Sequence, residues 1–271
     1  MRFGIIYPNS SIYLDRNLLS DVARESDELG YDFLLFWDHY VTPTTKATLD
    51  AWVLVSFLSS LTSKIRIGTC VTPIPFRPPS QLAKVVASID FLNEGRTILG
   101  AGAGWSQIEF DSFSEWHKDK TRVSMTLEAI ELIKKLWIED IVNFQGRYYK
   151  VRNAILYPKP KQSPYPEIWF GGTGKRMLTG AAALGTGWIP TMINSEEYSS
   201  MASWIKDRIG RRKFSFAYDL YNPLDQAEDY TNQIEDFEEA GCEYFGINWR
   251  YKPEEMVPRL KWFAKEVMSS F

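Results

Sequence analysis

Asp38 and His39 stand side by side in FWDHYV, and His39 is one of only two histidines in the chain. An imidazole can take or give a proton near neutral pH, and an adjacent carboxylate can orient it. This pair is the first candidate for catalytic proton transfer. The second histidine, His117, lies in SEWHKDKT, a polar stretch that reads as a surface loop before a helix. With no H-x-H or H-E-x-x-H spacing, and with Cys70 and Cys242 172 positions apart in strand-like segments, neither a metal site nor a disulfide framework is expected.

Two glycine-rich stretches raise a different chemistry. LGAGAGW, residues 99–105, fails the dinucleotide pattern G-x-G-x-x-G, because the third glycine is replaced by Trp105 counting from Gly100 and by Gln107 counting from Gly102. In EIWFGGTGKRML, Gly171, Gly172, Thr173 and Gly174 stand between an apolar run and a helical pattern that begins near Lys175. Bare backbone N–H groups at a helix start suit an anion, and a nearby lysine suits a phosphate. The same residues also suit a tight turn. Tyr7, Trp37, Tyr40, Trp105 and Trp188 would fit a planar ligand, although large aromatics fill cores equally well.

Elements must bring these residues together. Eight short apolar runs alternate with amphipathic stretches: 2–7, 31–37, 64–72, 96–102, 167–172, 187–190, 213–220 and 242–247. Runs of this kind are the mark of buried parallel strands. Between them, TRVSMTLEAIELIKKLW repeats apolar residues at helical spacing. Eight strand-helix units in 271 residues predict an α/β fold, a (β/α)8 TIM barrel forming a single domain over residues 1–271. Residues 141–166 break the rhythm and read as a hairpin around Gln145 and Gly146 plus a proline-rich connector, inserted between the fourth helix and the fifth strand. In such a barrel the working residues follow the strands, which is where Asp38, His39, Cys70 to Pro75, Gly102 to Trp105 and Gly171 to Lys175 fall.

Composition narrows the partners. A net charge of -3, with no basic cluster longer than Arg211, Arg212 and Lys213, leaves no footprint for nucleic acid. No run of 18 apolar residues occurs and MRFGIIYPNS lacks the pattern of a leader, so a cytoplasmic protein without a membrane partner is expected.

The segments FWDHYV, IRIGTCVTPIPFRPPSQLAK, GRTILGAGAGW, IWFGGTGKRML and GTGWIP, in this order and spacing, resemble the bacterial luciferase-like family of flavin-dependent oxidoreductases. The likeness runs from residue 2 to about residue 190. It implies a (β/α)8 barrel that binds FMN or the deazaflavin coenzyme F420 at the C-terminal mouth, and the family is usually dimeric. By this resemblance Cys70-Val71 is a cis peptide that bulges behind the flavin ring. Gly102, Ala103, Gly104 and Trp105 end the fourth strand and let the ring approach the backbone, and the phosphate sits near Gly171, Gly172, Thr173 and Gly174.

The resemblance implies two branches. In the monooxygenases, reduced FMN from a separate flavin reductase reacts with oxygen, and one oxygen atom enters a small organic substrate. That reading leads here. In the coenzyme F420-dependent dehydrogenases and reductases, His39 would accept or donate the proton that accompanies hydride transfer. This chain departs from them at three places: Thr44 stands where they have a tryptophan, Trp105 where they have a glutamate, and YPNSSIY replaces the first-strand glutamate region. Arg77 reads as a surface residue or as a contact for an anionic substrate. A non-catalytic flavin-binding protein on the same scaffold is a third reading. A barrel lyase or isomerase for a sugar phosphate is a fourth, which would want a lysine or a carboxylate pair at strand ends, and strands six to eight show neither clearly.

Overall fold

Each of the eight apolar runs becomes a strand in the computed structural model, which describes residues 1–42 and 47–271. Thr44 lies outside the described residues. The strands are β1 (Arg2–Tyr7), β2 (Phe33–Phe36), β3 (Arg66–Thr69), the two-residue β4 (Thr72–Pro73), β5 (Thr97–Gly102), β6 (Val142–Gln145), β7 (Lys150–Ala154), β8 (Glu167–Phe170), β9 (Gly187–Trp188), β10 (Ser215–Leu220) and β11 (Tyr244–Asn248). The helices are α1 (Arg16–Glu28), α2 (Ala51–Ser59), α3 (Pro79–Leu92), α4 (Gln107–Phe113), α5 (Asp119–Ile138), α6 (Lys175–Leu184), α7 (Ser195–Ile209), α8 (Ala227–Glu239) and α9 (Met256–Glu266).

Parallel pairing runs β1-β2-β3-β5-β8-β9-β10-β11, and β11 pairs back onto β1, Arg2 opposite Tyr244. That closes an eight-stranded barrel. β4 extends the wall beside the end of β5, with Thr72 opposite Ala101. The hairpin β6-β7 is the expected insertion. The Gly146 N–H donates to the Tyr149 carbonyl at 2.9 Å, and Glu128 of α5 accepts from the Arg147, Tyr148 and Tyr149 N–H groups at 2.9, 2.8 and 2.8 Å. The connector returns to the barrel through Gln162, which donates to Asp90 and to the Thr97 carbonyl.

Side chains alternate across each strand, so each run divides into an inner and an outer set. Ile6, Phe33, Leu35, Ile98, Trp169, Ile189, Ala217 and Tyr244 pack inside the barrel, with Trp37, Cys70 and Val71 against them. The odd positions of β2 and β10 therefore face inward, which fixes where the polar residues at the strand ends point: His39 and Asp219 continue the inner rows, whereas Asp38 continues an outer one. The outer rows pack under the helices in a larger cluster that includes Leu34, Phe36, Leu99, Trp188 and Phe245.

The bottom of the barrel is closed by charge. Arg66 donates from Nε to Asp32 and from Nη1 to Glu167, both at 2.8 Å. Its guanidinium lies 5.1 Å from the Trp169 ring centre and 4.9 Å from that of Tyr244. Glu167 accepts in addition from Trp169 Nε1 at 2.7 Å. Among the described residues no helix is long and apolar enough to cross a membrane.

Candidate active site

β2 ends at Phe36, and the chain then runs along the rim of the C-terminal mouth. Here the adjacent Asp38 and His39 part company. Asp38 is buried and turns outward, where it accepts from Arg77 Nη2 at 2.5 Å, from Arg77 Nε at 3.0 Å and from the Thr72 hydroxyl at 2.8 Å. Arg77 also reaches Asp50 at 2.9 Å, and Asp50 caps α2 through the Trp52 and Val53 N–H groups. Neither of the two expected roles for Arg77 matches this geometry, because its fork is occupied by two carboxylates. Asp38 likewise has no oxygen turned to His39 among its hydrogen bonds; its work in the structure is to anchor the loop after β3.

His39 has another partner, one that the sequence reading missed. Its Nδ1 lies 2.9 Å from Oε2 of Glu109, a buried carboxylate in the first turn of α4. Glu109 also accepts the N–H groups of Tyr40 and, at 3.4 Å, Val41. A carboxylate already taking two backbone donors acts as an acceptor, so the imidazole proton belongs on Nδ1. That leaves Nε2 as the atom able to take a proton, and among the described residues nothing bonds it. Trp105 covers the imidazole edge-to-face, ring centres 5.5 Å apart, and is itself 64% exposed.

The position of Glu109 depends on Gly104. This residue has φ +78, and a Cβ there would fall 2.6 Å from the Phe110 ring. Glycine lets the chain leave β5 in a left-handed turn and start α4 at once. Arg122 of α5 donates to the Gly104 carbonyl at 3.3 Å and lies 3.6 Å over the Trp116 ring, which ties this segment to the barrel wall. His117 sits in that segment, 3.6 Å from Glu115.

The other glycines of LGAGAGW have a reason that can now be read. The Cys70-Val71 peptide is cis, as the resemblance implies. Val71 projects into the mouth and fills the space that side chains at its neighbours would need: a Cβ would lie 2.5 Å from its methyls at Gly102 and 3.2 Å at Gly171. At Gly100 a Cβ would strike the Thr69 carbonyl oxygen at 1.9 Å. These glycines give way to the Val71 bulge and to the adjacent strand. The glycines at the end of β5 thus answer contacts within the fold itself. Ala103 packs on the outer core.

On the far side of the bulge, Gly171 is buried, and Gly172, with φ +88, and Gly174 are exposed. Nothing lies within 4 Å of a Cβ built at Gly174, which begins α6 with no side-chain cap. Trp188 Nε1 holds the Gly172 carbonyl at 3.0 Å, and Arg176 ties the first turn of α6 to Lys120 and Ser124 of α5 at 2.8 Å. The loop is thus fixed from behind and open in front, with uncapped N–H groups of α6 available to an anion. Thr173 is half-buried within it. Of the five aromatics proposed for the mouth, Trp37 and Trp105 take that position. Tyr40 packs on Phe76 and Phe113, and Tyr7 and Trp188 belong to the outer core.

Across the mouth from Cys70 stands a carboxylate at the end of the seventh barrel strand, where the sequence reading found none that was clear. Asp219 is 6% exposed, and burial pushes its carboxyl up to about 7. Burial also raises the Cys70 thiol well above its usual range, and the charge of Asp219 raises it further.

A family model for luciferase-like monooxygenases matches residues 1–219. The chain belongs to that family. Among curated relatives, it is 33% identical over 177 residues to an F420-dependent glucose-6-phosphate dehydrogenase of Amycolatopsis mediterranei, a match that takes in 64% of this chain and 53% of the relative. It is 30% identical over 161 residues to a phthiodiolone/phenolphthiodiolone dimycocerosates ketoreductase of Mycobacterium tuberculosis, covering 58% of this chain and 42% of that one. The chain thus spans about half the length of these curated relatives. Among solved structures, an F420-dependent secondary alcohol dehydrogenase superposes over 100% of this chain and 99% of its own with a TM-score of 0.82 at 20% identity. A monooxygenase of Streptomyces bottropensis does so over the same shares with a TM-score of 0.85 at 18% identity, so the two establish the barrel alone.

Proposed function

We propose that this luciferase-like protein is a coenzyme F420-dependent oxidoreductase that interconverts an alcohol and a carbonyl compound by hydride transfer. The observation that carries the reading is the His39–Glu109 pair. The glutamate expected just after G-x-G is replaced by Trp105, but Glu109 brings a buried carboxylate to the imidazole from one turn further on. Curated relatives with F420-dependent activity support the same branch. It takes precedence over the monooxygenase with reduced FMN, for which the residues of the mouth offer no specific argument.

The site fits a flavin-type group: Val71 offers a convex apolar support, and the uncapped start of α6 with Gly172, Thr173 and Gly174 offers a cradle for its phosphate. Bound there, the coenzyme would supply the two-electron hydride chemistry. The chain's own contribution is proton transfer and orientation. Nε2 of His39 takes the proton from a substrate hydroxyl, or returns it to a carbonyl oxygen, and Glu109 holds the ring in the tautomer that permits this. Asp38 acts at one remove, pinning the loop that bears Cys70 and Val71 through Thr72 and Arg77.

Equilibrium binding of oxidised coenzyme F420 and of oxidised and reduced FMN to the purified protein, followed by fluorescence quenching, tests the reading. Tighter binding of F420 is expected. Binding of reduced FMN with no measurable affinity for F420 would return the protein to the monooxygenase branch.

A further inference from the structure

Asp219 on β10 and Asn248 on β11 both face into the barrel at its C-terminal end. In the β10-β11 register Asp219 is opposite Gly246, which sets Asn248 one inward position further toward the mouth. Asn248 is wholly buried, and no hydrogen bond of ordinary geometry reaches its Nδ2, its Oδ1 or Asp219 Oδ1 among the described residues, although the two side chains lie near enough for Asn248 to favour the Asp219 carboxylate. Buried polar atoms are nearly always satisfied, and one left without a partner carries a penalty of about 1 to 3 kcal/mol. Three such atoms on adjoining strands, on the floor that also carries Cys70 and Val71, mark a place built for hydrogen bonds that the folded chain does not itself supply.

We propose that Asp219 and Asn248 form a hydrogen-bonding subsite for the imide edge of a flavin-type pyrimidine ring. The inference rests on the flavin reading of the mouth. An imide edge presents an N–H between two carbonyl oxygens, and it is uncharged. A carboxamide offers one kind of donor and one acceptor, and a protonated carboxyl does the same, so the two side chains can answer all three groups of that edge. An ionised Asp219 would instead set a negative charge against the two carbonyls. The environment favours the neutral form: burial raises the carboxyl, and Thr191, Asn248 and the Arg250 cation, which pull it the other way, leave it near neutrality. Cys70 across the floor and Tyr218 beside it are the other titratable groups that feel its charge, and both are raised by burial. Ring binding is then coupled to the protonation of Asp219.

The test measures dissociation constants of oxidised F420, FMN and 3-methyl-FMN, which lacks the imide N–H, for the wild type, Asp219→Asn and Asn248→Ala. With a binding-competent fraction set by a carboxyl near pH 7, wild-type affinity falls about tenfold between pH 6 and pH 8. Asp219→Asn, which keeps a donor and an acceptor at nearly the same size, removes that slope. Asn248→Ala weakens FMN by about fivefold, the loss of one hydrogen bond, and weakens 3-methyl-FMN less, because the contact is already lost. Far-UV circular dichroism verifies that each variant is folded, and should Asn248→Ala not fold, the pH slope of Asp219→Asn decides alone. Flavin binding with the same pH slope in wild type and Asp219→Asn, and an equal methyl penalty in all three proteins, would overturn the subsite while leaving the flavin reading intact. No binding of any of the three probes, nor of reduced FMN, by the folded wild type would overturn the flavin reading, and the subsite with it.

Discussion

The two ends of the barrel handle buried charge in opposite ways. At the bottom, Arg66, Asp32, Glu167 and Trp169 meet one another's donors and acceptors, and the guanidinium lies between two aromatic rings. At the mouth, Asp219 and Asn248 are buried with atoms unpaired, His39 keeps one nitrogen unbonded among the described residues, and α6 starts uncapped. The bottom is arranged for stability and the mouth against it. Three buried polar atoms without partners on two adjoining inward-facing strand ends mark the mouth as the end where another molecule belongs.

This contrast predicts opposite signs of effect at the two ends. The largest concerns Asp219→Asn. A carboxyl raised to about 7 in the fold from 3.8 otherwise keeps its proton when the unfolded chain has lost it. Stability therefore falls as pH rises from about 4 to about 7, and the full penalty, up to about 4 kcal/mol, remains above that range. A carboxamide at this position escapes it, so thermal melting at pH 8 should show the variant more stable than the wild type, by less at pH 5. Equal melting curves at pH 8 would remove Asp219 from the strained set.

His39→Ala should lower turnover about 100-fold, the scale of a lost general acid-base, with melting temperature nearly unchanged. At the bottom the signs reverse. Arg66→Met leaves Asp32 and Glu167, 26% and 25% exposed, without their cation. Urea titration should show a loss of about 2 to 3 kcal/mol, below the range for fully buried pairs, while coenzyme affinity of the folded protein holds. The smallest effect is expected of Glu109→Gln, which keeps the shape but not the charge: turnover about tenfold lower with the pH profile shifted, since a positioning role acts through the imidazole. A pH profile identical to that of the wild type would make Glu109 structural only.

The barrel was legible because strands buried on both faces are continuous apolar runs, and each of the eight begins within two residues of its expected place, the third ending three residues early, just before Cys70. The mouth was less so. Asp38 and His39 look like a pair on the chain, but the alternation of a strand sends neighbours to opposite sides. The same alternation, applied to SFAYDL, sets Ser215, Ala217 and Asp219 on one face and would have brought out the carboxylate at the seventh strand end. Glu109 was hidden differently. Ser106 and Glu109 have the S-x-x-E spacing of a capping box, which marks the start of α4. In the fold the serine makes no side-chain cap and the glutamate is turned to His39 and the Tyr40 backbone, a contact across about 70 residues that no local pattern carries.

A crystal structure of the protein with oxidised coenzyme F420 tests most directly that the mouth is the working end. The expected result is the ring against Val71, beside His39, with the phosphate at the start of α6 and the pyrimidine edge toward Asp219 and Asn248. A coenzyme seated elsewhere, with the unpaired groups of the mouth facing only water, would contradict it.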